Sequence, residues 1–328
     1  MRAARLKPTS PEGTTYTFPT NTAPSSAIEI RDDVPKPVIT RSDEILIQVK
    51  ASSIWKDNLI WNELYPPKHG LLGNDFAGIV VEVHKDVTGF KPGDHVYGMS
   101  DVENGGMWAE YAIVRVRETT LKPDSLSWEE AAALPGAAHT ADQALFVHAG
   151  LSNDASGDVK RVLVTGASGG VGIYLVQFAL AAGHHVIAAT SSTLRSESFL
   201  RSLGVKEIIE YGEFSNTEKA DVVIDSVGGQ VLKDCWGVVK PNGTLVSFDG
   251  YSWNFINEQQ AELGKESVRA LYMISEPSLA SMERVTKLVV NNGIKGHVRS
   301  TVPLSNVREA YDSVHIRGGG FGRIVVAI

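Results

Sequence analysis

Three glycines, Gly166, Gly169 and Gly172, recur every third residue in Thr165-Gly-Ala-Ser-Gly-Gly-Val-Gly172. Before them lies the apolar run Arg161–Thr165, and after them the Ala-rich stretch Val171–Ala182. The run predicts a short buried strand and the stretch a helix, which Gly183 can end in a left-handed conformation. A strand, a glycine turn and a helix together suit phosphate binding. Small residues let a pyrophosphate approach the backbone, and the free N–H groups and dipole of the helix N-terminus receive its charge. The spacing is G-x-x-G-x-x-G rather than the commoner G-x-G-x-x-G, and alone it describes only a tight turn. Inside a complete βαβ unit it reads as a dinucleotide site in which Gly166, Ser168, Gly169, Gly170, Val171 and Gly172 surround the pyrophosphate.

The end of the next strand, His185–Thr190, bears on which dinucleotide. NAD sites usually carry an Asp or Glu about 20 residues past the glycines, on the ribose 2′-hydroxyl. Here Ala188–Ser196 has no carboxylate, and the first one, Glu197, falls in the following helix, Leu194–Leu203. The hydroxyls of Thr190, Ser191 and Ser192 with the Arg195 guanidinium suit a 2′-phosphate, which favours NADPH over NADH. Ser192 or Thr193 capping the helix, with Arg195 solvated, is the plainer reading, and the two are compatible.

These residues need a scaffold. After Ser127 helical stretches (Trp128–Leu134, His139–Ala149) lead into alternating strands and helices. Further strands are expected at Glu207–Glu210, Asp221–Asp225, Thr244–Phe248 and Arg269–Met273, which implies a parallel sheet covered on both faces. The first third reads differently, as the strands Met1–Leu6, Glu44–Ala51, Ala77–Val83 and Trp108–Val116 joined by Pro-, Gly- and Asp-rich connections. Pro277–Asn292, His297–Val302, Val307–Val314 and Arg323–Ile328 read as helix, strand, helix and strand. The 328 residues suffice for two domains. A net charge of −7 argues against a nucleic-acid partner. No apolar run approaches the ~20 residues of a membrane span, and the N-terminus has no secretory h-region. The single cysteine, Cys235, excludes an internal disulfide and any cysteine-built zinc cluster. A soluble, cytoplasmic enzyme or binding protein is expected.

The glycine turn also fits the short-chain dehydrogenase pattern T-G-x-x-x-G-x-G. That reading fails, because the turn lies mid-chain and none of the nine tyrosines has Lys four residues later. The chain instead resembles, nearly end to end, the zinc-free quinone oxidoreductase and enoyl reductase branch of the medium-chain dehydrogenase/reductase superfamily. The resemblance rests on Val49-Lys-Ala-Ser-Ser-Ile54, Gly73-Asn-Asp-Phe-Ala-Gly78, Val87-Thr-Gly-Phe-Lys-Pro-Gly-Asp94, Gly105-Gly-Met-Trp-Ala-Glu-Tyr111, Ala131-Ala-Ala-Leu-Pro135 with Thr140-Ala141, and Asp225-Ser-Val-Gly-Gly229. It implies an α/β protein: a doubly wound Rossmann domain that binds NADPH, over 128–274, and a GroES-like, mostly-β catalytic domain over 1–127 and 275–328. It also implies a homodimer, and a cleft where nicotinamide meets substrate. Beyond the turn, cofactor contacts are expected at Thr140, Tyr211, Ser226, Val227 and Phe248.

Zinc-dependent relatives carry a Cys after the strand ending near Ile54 and a Gly-His-Glu where this chain has Gly73-Asn74-Asp75. Here Trp55-Lys56-Asp57 and Asn74 stand at those places, so no metal is expected. Without that Lewis acid, hydride transfer to an activated alkene is favoured. Such a reduction needs positioning at about 3–3.5 Å and polar groups that steady an enolate. Enoyl thioester reductases of the superfamily use a Tyr as proton donor at the position of Tyr65, in Tyr65-Pro66-Pro67; the other reading is an aromatic lining the cleft, as in many quinone-reducing relatives. Relatives commonly carry Ser-Ile-Asn-Pro, whereas this chain has Ser53-Ile54-Trp55-Lys56, so either the substrate is large and flat, with Trp55 stacking on it, or the usual chemistry is altered. Trp61 and Trp253 are candidates for the same wall. Lys56 is either a donor to a carbonyl oxygen or a solvated lysine, Asp57 and Asn58 are candidates for ordering the site, and His139 reads as structural. The expected activity is reduction of the C=C bond of an α,β-unsaturated carbonyl. The alternatives are an NADPH:quinone oxidoreductase and a non-catalytic NADPH-binding protein of the same fold.

Overall fold

The computed structural model describes residues 1–7, 22–65, 69–154, 157–314, 316 and 320–328; Pro66 and Pro67 lie outside them. The chain divides into two compact units, Met1–Gly136 with Glu276–Ile328, and Ala137–Ser275. The first unit begins with β1 (Ala3–Leu6), β2 (Ile28–Arg31), β3 (Glu44–Ile54), α1 (Asn58–Leu64), β4 (Asp75–Val83), β5 (His95–Met99), β6 (Tyr111–Arg115), β7 (Thr119–Leu121) and α2 (Trp128–Ala133). Helix α3 (Pro135–Asp142) carries the chain into the second unit, which holds β8 (Arg161–Val164), α4 (Gly172–Ala181), β9 (His185–Thr190), α5 (Thr193–Ser202), β10 (Glu207–Glu210), β11 (Ala220–Asp225), α6 (Gly229–Val238), β12 (Val239–Ser247), α7 (Phe255–Gln259) and β13 (Arg269–Tyr272). The first unit closes with α8 (Leu279–Asn292), β14 (Val298–Pro303), α9 (Val307–Val314) and β15 (Arg323–Ala327).

In the second unit six strands lie in the order β10-β9-β8-β11-β12-β13, and every neighbouring pair is parallel. This is the doubly wound order, whose reversal falls between β8 and β11. Val162, Leu163 and Val164 of the central strand are fully buried, as a strand covered on both faces requires. Gly183 at φ 83° and Gly204 at φ 94° follow the ends of α4 and α5, where a side chain would strain the left-handed turn.

The first unit is built on β3. It pairs antiparallel with β4, and on its other edge with β6 through Glu44–Gln48 and with β15 through Ala51–Ile54. One core gathers Ile45, Ile47, Phe76 and Val96, and a second gathers Ile54, Leu59, Leu72, Trp108 and Ile324. Helix α2 starts as its sequence predicts, with Ser127 Oγ accepting from the Glu130 N–H at 3.1 Å and Glu130 accepting from the Ser127 N–H at 2.9 Å.

Several elements differ from expectation. Helix α6 was not evident because glycines open it, at Gly228 and Gly229. Its stability comes from Leu232, Cys235 and Trp236, buried against the sheet. Helices α1 and α7 have only 7 and 5 residues, too few to show a periodic face. The helix expected at His139–Ala149 begins earlier, at Pro135, and widens into a π-helix over Gln143–His148. The strand expected at Trp108–Val116 is confined to β6, since Trp108 binds instead across to Leu72 and Ala4.

Glu118 braces the turn between β5 and β6. Its carboxylate accepts from the Asp101 N–H at 3.1 Å, Asn104 Nδ2 at 3.2 Å and the Arg115 N–H at 2.9 Å. Burial outweighs these donors and pushes its carboxyl up to about 7. A raised carboxyl holds its proton more tightly when folded, so its contribution is complete at low pH and is lost as pH rises towards 7. Thermal unfolding of wild type and Glu118→Gln at pH 5 and pH 8 should show wild type losing on the order of 2 kcal/mol relative to the variant over that range. An unchanged difference would mean that Glu118 is ionised throughout.

Candidate functional site

The turn after β8 is shaped by close backbone approaches. Gly166 has φ 60°, and a Cβ on Gly172 would stand 2.0 Å from the Gly166 carbonyl oxygen. A Cβ on Gly169 would lie 3.0 Å from the same atom. The first turn of α4 has no side-chain cap; the Ile173 and Tyr174 N–H groups close on the Gly169 and Val171 carbonyls at 3.1 and 3.0 Å, which tightens the glycine turn against the helix start. An anionic pyrophosphate fits this cradle by charge and by space. Gly170, Ser168 and Val171 are half-buried around it.

A carboxylate underneath fixes the turn. Asp225 accepts from Thr165 Oγ1 at 2.7 Å, Ser247 Oγ at 3.0 Å, the Gly228 N–H at 3.0 Å and the Val227 N–H at 3.3 Å. Burial raises its carboxyl, and the four donors oppose the rise. Ser226 joins the same stitch, its N–H donating to Thr165 Oγ1 and its hydroxyl to the Thr165 carbonyl, both at 3.0 Å. The Tyr211 hydroxyl accepts from the Gly166 N–H at 3.2 Å. The Phe248 N–H donates to the Asp225 carbonyl at 3.2 Å. Nothing local in Asp225-Ser-Val-Gly-Gly229 marks Asp225 as this tie. The only signal was its place at the end of a buried strand, facing Thr165 and Ser247.

At the end of β9 the expected residues have distinct fates. Thr190 is buried and shares a hydrogen bond with Ser196 Oγ at 2.9 Å. Ser191 and Arg195 are exposed and joined, Arg195 donating to Ser191 Oγ at 3.0 Å. Ser192 is the N-cap residue of α5, yet neither its side chain nor that of Thr193 caps the helix. Glu210 caps it instead, accepting from the Thr193 N–H at 2.7 Å and the Thr193 hydroxyl at 2.8 Å. These two bonds hold the Glu210 carboxyl below the usual range. Sequence separation hid Glu210, which pairs with Thr190 only through the β9–β10 register. His139 Nδ1 and Ser275 Oγ lie 2.9 Å apart, and the neighbouring Thr140 is half-buried. Trp253 is 65% exposed on the loop after β12, which Asp249 secures by accepting from Ser252 Oγ at 2.8 Å.

In the first unit Trp55 follows β3, and its indole N–H donates to Asp75 Oδ2 at 2.6 Å. Lys56 is exposed, 3.9 Å from the Asp57 carboxylate. Tyr65 is 38% exposed, and its ring stacks on Trp61 at 5.9 Å and 21°. Asn58 Oδ1 accepts from the Trp55 N–H at 2.5 Å, and Asn74 Nδ2 donates to the Asp101 carbonyl at 3.4 Å. As a zinc site this set does not fit: amides and an indole stand where soft or imidazole ligands belong. Among the described residues no three His, Cys, Asp or Glu side chains gather around a point able to hold a metal ion.

Two family models match the chain: "Alcohol dehydrogenase GroES-like domain" over residues 41–124 and "Zinc-binding dehydrogenase" over residues 203–326. A protein of Arthroderma benhamiae named "Probable zinc-binding oxidoreductase, mitochondrial" is 34% identical, over 90% of this chain and 95% of its own length. A "Quinone-oxidoreductase homolog, chloroplastic" of Spinacia oleracea is 31% identical, over 89% of this chain and 91% of its own. Among solved structures, the quinone oxidoreductase of Coxiella burnetii superposes with a TM-score of 0.82 at 24% identity, covering 100% of both chains. The organelle names of the relatives overturn the expected cytoplasmic location. The lack of a secretory h-region bears on secretion alone, and organelle import is addressed by other signals. No helix among the described residues is long and apolar enough to cross a membrane. Relatives above 30% identity across nine-tenths of its length, with this sheet order and this glycine cradle, make the chain a nicotinamide-cofactor oxidoreductase that belongs to the medium-chain dehydrogenase/reductase superfamily, in its quinone oxidoreductase and enoyl reductase branch.

Proposed function

We propose that the chain is an NADPH-dependent, zinc-independent reductase of the C=C bond of α,β-unsaturated carbonyls. The observation that carries the reading is the uncapped glycine cradle of Gly166–Gly172, with Ser191 and Arg195 paired at the end of the neighbouring strand. When bound, the nicotinamide supplies a hydride to the β-carbon. The chain's own work is to hold, orient and protonate. The amides of the turn and the dipole of α4 bind the pyrophosphate. Ser191 and Arg195 offer a hydroxyl and a guanidinium fork to a 2′-phosphate, while Thr140, Tyr211, Ser226, Val227 and Phe248 border the rest of the cofactor. Tyr65, exposed and ring-stacked, supplies the proton that ends at the α-carbon, so that one hydride and one proton saturate the alkene. Lys56 is a second donor toward the carbonyl oxygen. Reduction of a quinone to its hydroquinone needs the same hydride and proton and is the alternative substrate reading. The chain also acts as a homodimer in this reading, through the open edge of β13. Sedimentation as a monomer would count against that part.

One observation favours NADH instead: the Glu210 carboxylate at Thr193, beside the same strand end. The two cofactors separate by mutation. Arg195→Ala should raise KM for NADPH about tenfold, the loss of one charge-assisted contact, and leave KM for NADH nearly unchanged. Glu210→Gln should lower KM for NADPH. Equal effects on both cofactors would remove the 2′-phosphate assignment.

The reaction is tested by a panel of enones, enoyl thioesters and quinones with stereospecifically deuterated NADPH. Deuterium β to the carbonyl of the product is the expected result. Cofactor binding without turnover of any of these would leave only a binding protein. Tyr65→Phe should lower kcat about 10²-fold with little change in KM, as removal of a general acid does. Unchanged turnover would remove Tyr65 as the proton source.

A further inference from the structure

A knot of hydrogen bonds in the first unit has no part in the hydride and proton steps above. Asp75 opens β4 and is completely buried. Its Oδ2 accepts from the Ser53 hydroxyl at 2.5 Å and the Trp55 indole at 2.6 Å, and its Oδ1 accepts from the Gly136 N–H at 2.7 Å. A buried carboxylate is costly unless donors replace its water. Here both oxygens have them. The indole and the amide can only donate, so each fixes one oxygen of the carboxylate.

The same bonds fix the ring. Indole carbons Cζ2 and Cε2 lie 2.5 and 2.9 Å from where a Cβ on Gly136 would stand, so only glycine admits the ring against the start of α3. The main chain of Trp55 is held as well, its N–H donating to Asn58 Oδ1 at 2.5 Å. Trp55 is thus tied at its backbone, at its indole nitrogen and along one ring edge, while the side chain stays half-buried. An untethered side chain loses about 0.5–1.5 kcal/mol of freedom when a ligand immobilises it. A ring already locked by folding has no such loss left, and a flat conjugated partner gains the stacking energy in full.

We propose that Asp75 is a positioning residue that locks the Trp55 indole as a fixed aromatic plate, making the site selective for planar, fused-ring conjugated carbonyls over small acyclic ones. The identity of the substrates rests on the reductase reading above. The plate itself does not.

The test compares 2-methyl-1,4-naphthoquinone with but-3-en-2-one in the full-length protein with NADPH, for wild type, Asp75→Asn and Trp55→Phe. Asparagine turns an N–H towards one of the carboxylate's donors, and phenylalanine keeps a ring without the tether. Both should lower the ratio of kcat/KM for the naphthoquinone to that for the butenone about three- to tenfold, through the naphthoquinone KM rather than kcat. A loss common to both substrates divides out of the ratio and would reduce Asp75 to a structural role, overturning the proposal. Should Asp75→Asn fail to fold, Trp55→Phe alone decides. A wild type that reduces neither substrate sinks the reductase reading, and the plate is then read by fluorescence. The emission lost between wild type and Trp55→Phe should be quenched saturably by 1,4-naphthoquinone and far less by butenone. No difference between the two quenchers would overturn the plate.

Discussion

Asp225 ends β11 where the order of the parallel sheet turns back on itself, and its buried carboxylate draws Thr165 of one neighbour, Ser247 of the other and two amides of its own turn to a single point. The glycine turn depends on that tie. Thr165 is the residue before Gly166, and Ser226 closes on both its hydroxyl and its carbonyl. A charged group in this place also restricts what lies above it. Its oxygens are taken up by Thr165, Ser247 and the Val227 and Gly228 amides, so the carboxylate makes no bond to the first turn of α4. One buried carboxylate thus joins the ends of β8, β11 and β12 at the place where the glycine turn begins.

The parts of the fold legible in sequence were those in which one local pattern decides the outcome. Val162–Val164 is apolar throughout because both faces are covered, and the glycines after it admit one geometry. Ser127 and Glu130 announce a helix start because the capping partners are three residues apart. What stayed hidden was decided by partners distant in sequence. Glu210 caps α5 across a strand register, Asp75 gathers donors from β3, from Trp55 after it and from Gly136, and Glu118 receives amides from the loop after β5 and from the end of β6. Composition treats all three as surface charges, and Asp75 and Glu118 are buried. Burial and a set of donors reverse that expectation, and neither is visible before the chain is folded.

Trp55 shows how a substitution within a family pattern is read differently once neighbours are known. As a sequence departure it suggested a bulky wall facing a substrate, and the neighbours add what holds that wall in place. The structure gives the indole nitrogen a specific acceptor and Gly136 a specific reason to lack a side chain. Asn74 likewise spends its amide on the Asp101 carbonyl. Where zinc-dependent relatives carry metal ligands, buried Asn74, Asp75 and Asn58 here form a polar network that holds the half-buried Trp55.

The way β3 is completed governs the order in which the protein can assemble. Its second half pairs with β15, so Ala51 meets Ala327, while the residues of the other unit, 137–275, run without interruption. During synthesis from the N-terminus that second unit holds all six of its strands before the last strand of the first unit exists. The partner edge of Ala51–Ile54 therefore stays uncovered until nearly the whole chain has been made, and an exposed strand edge invites pairing with other chains. The stretch between Ala51 and Ala327 contains the compact unit of residues 137–275. Folding of that unit shortens the span the last strand must search, because loop closure costs less when the intervening chain is already compact. The inserted unit acts in this respect as a staple for the split one.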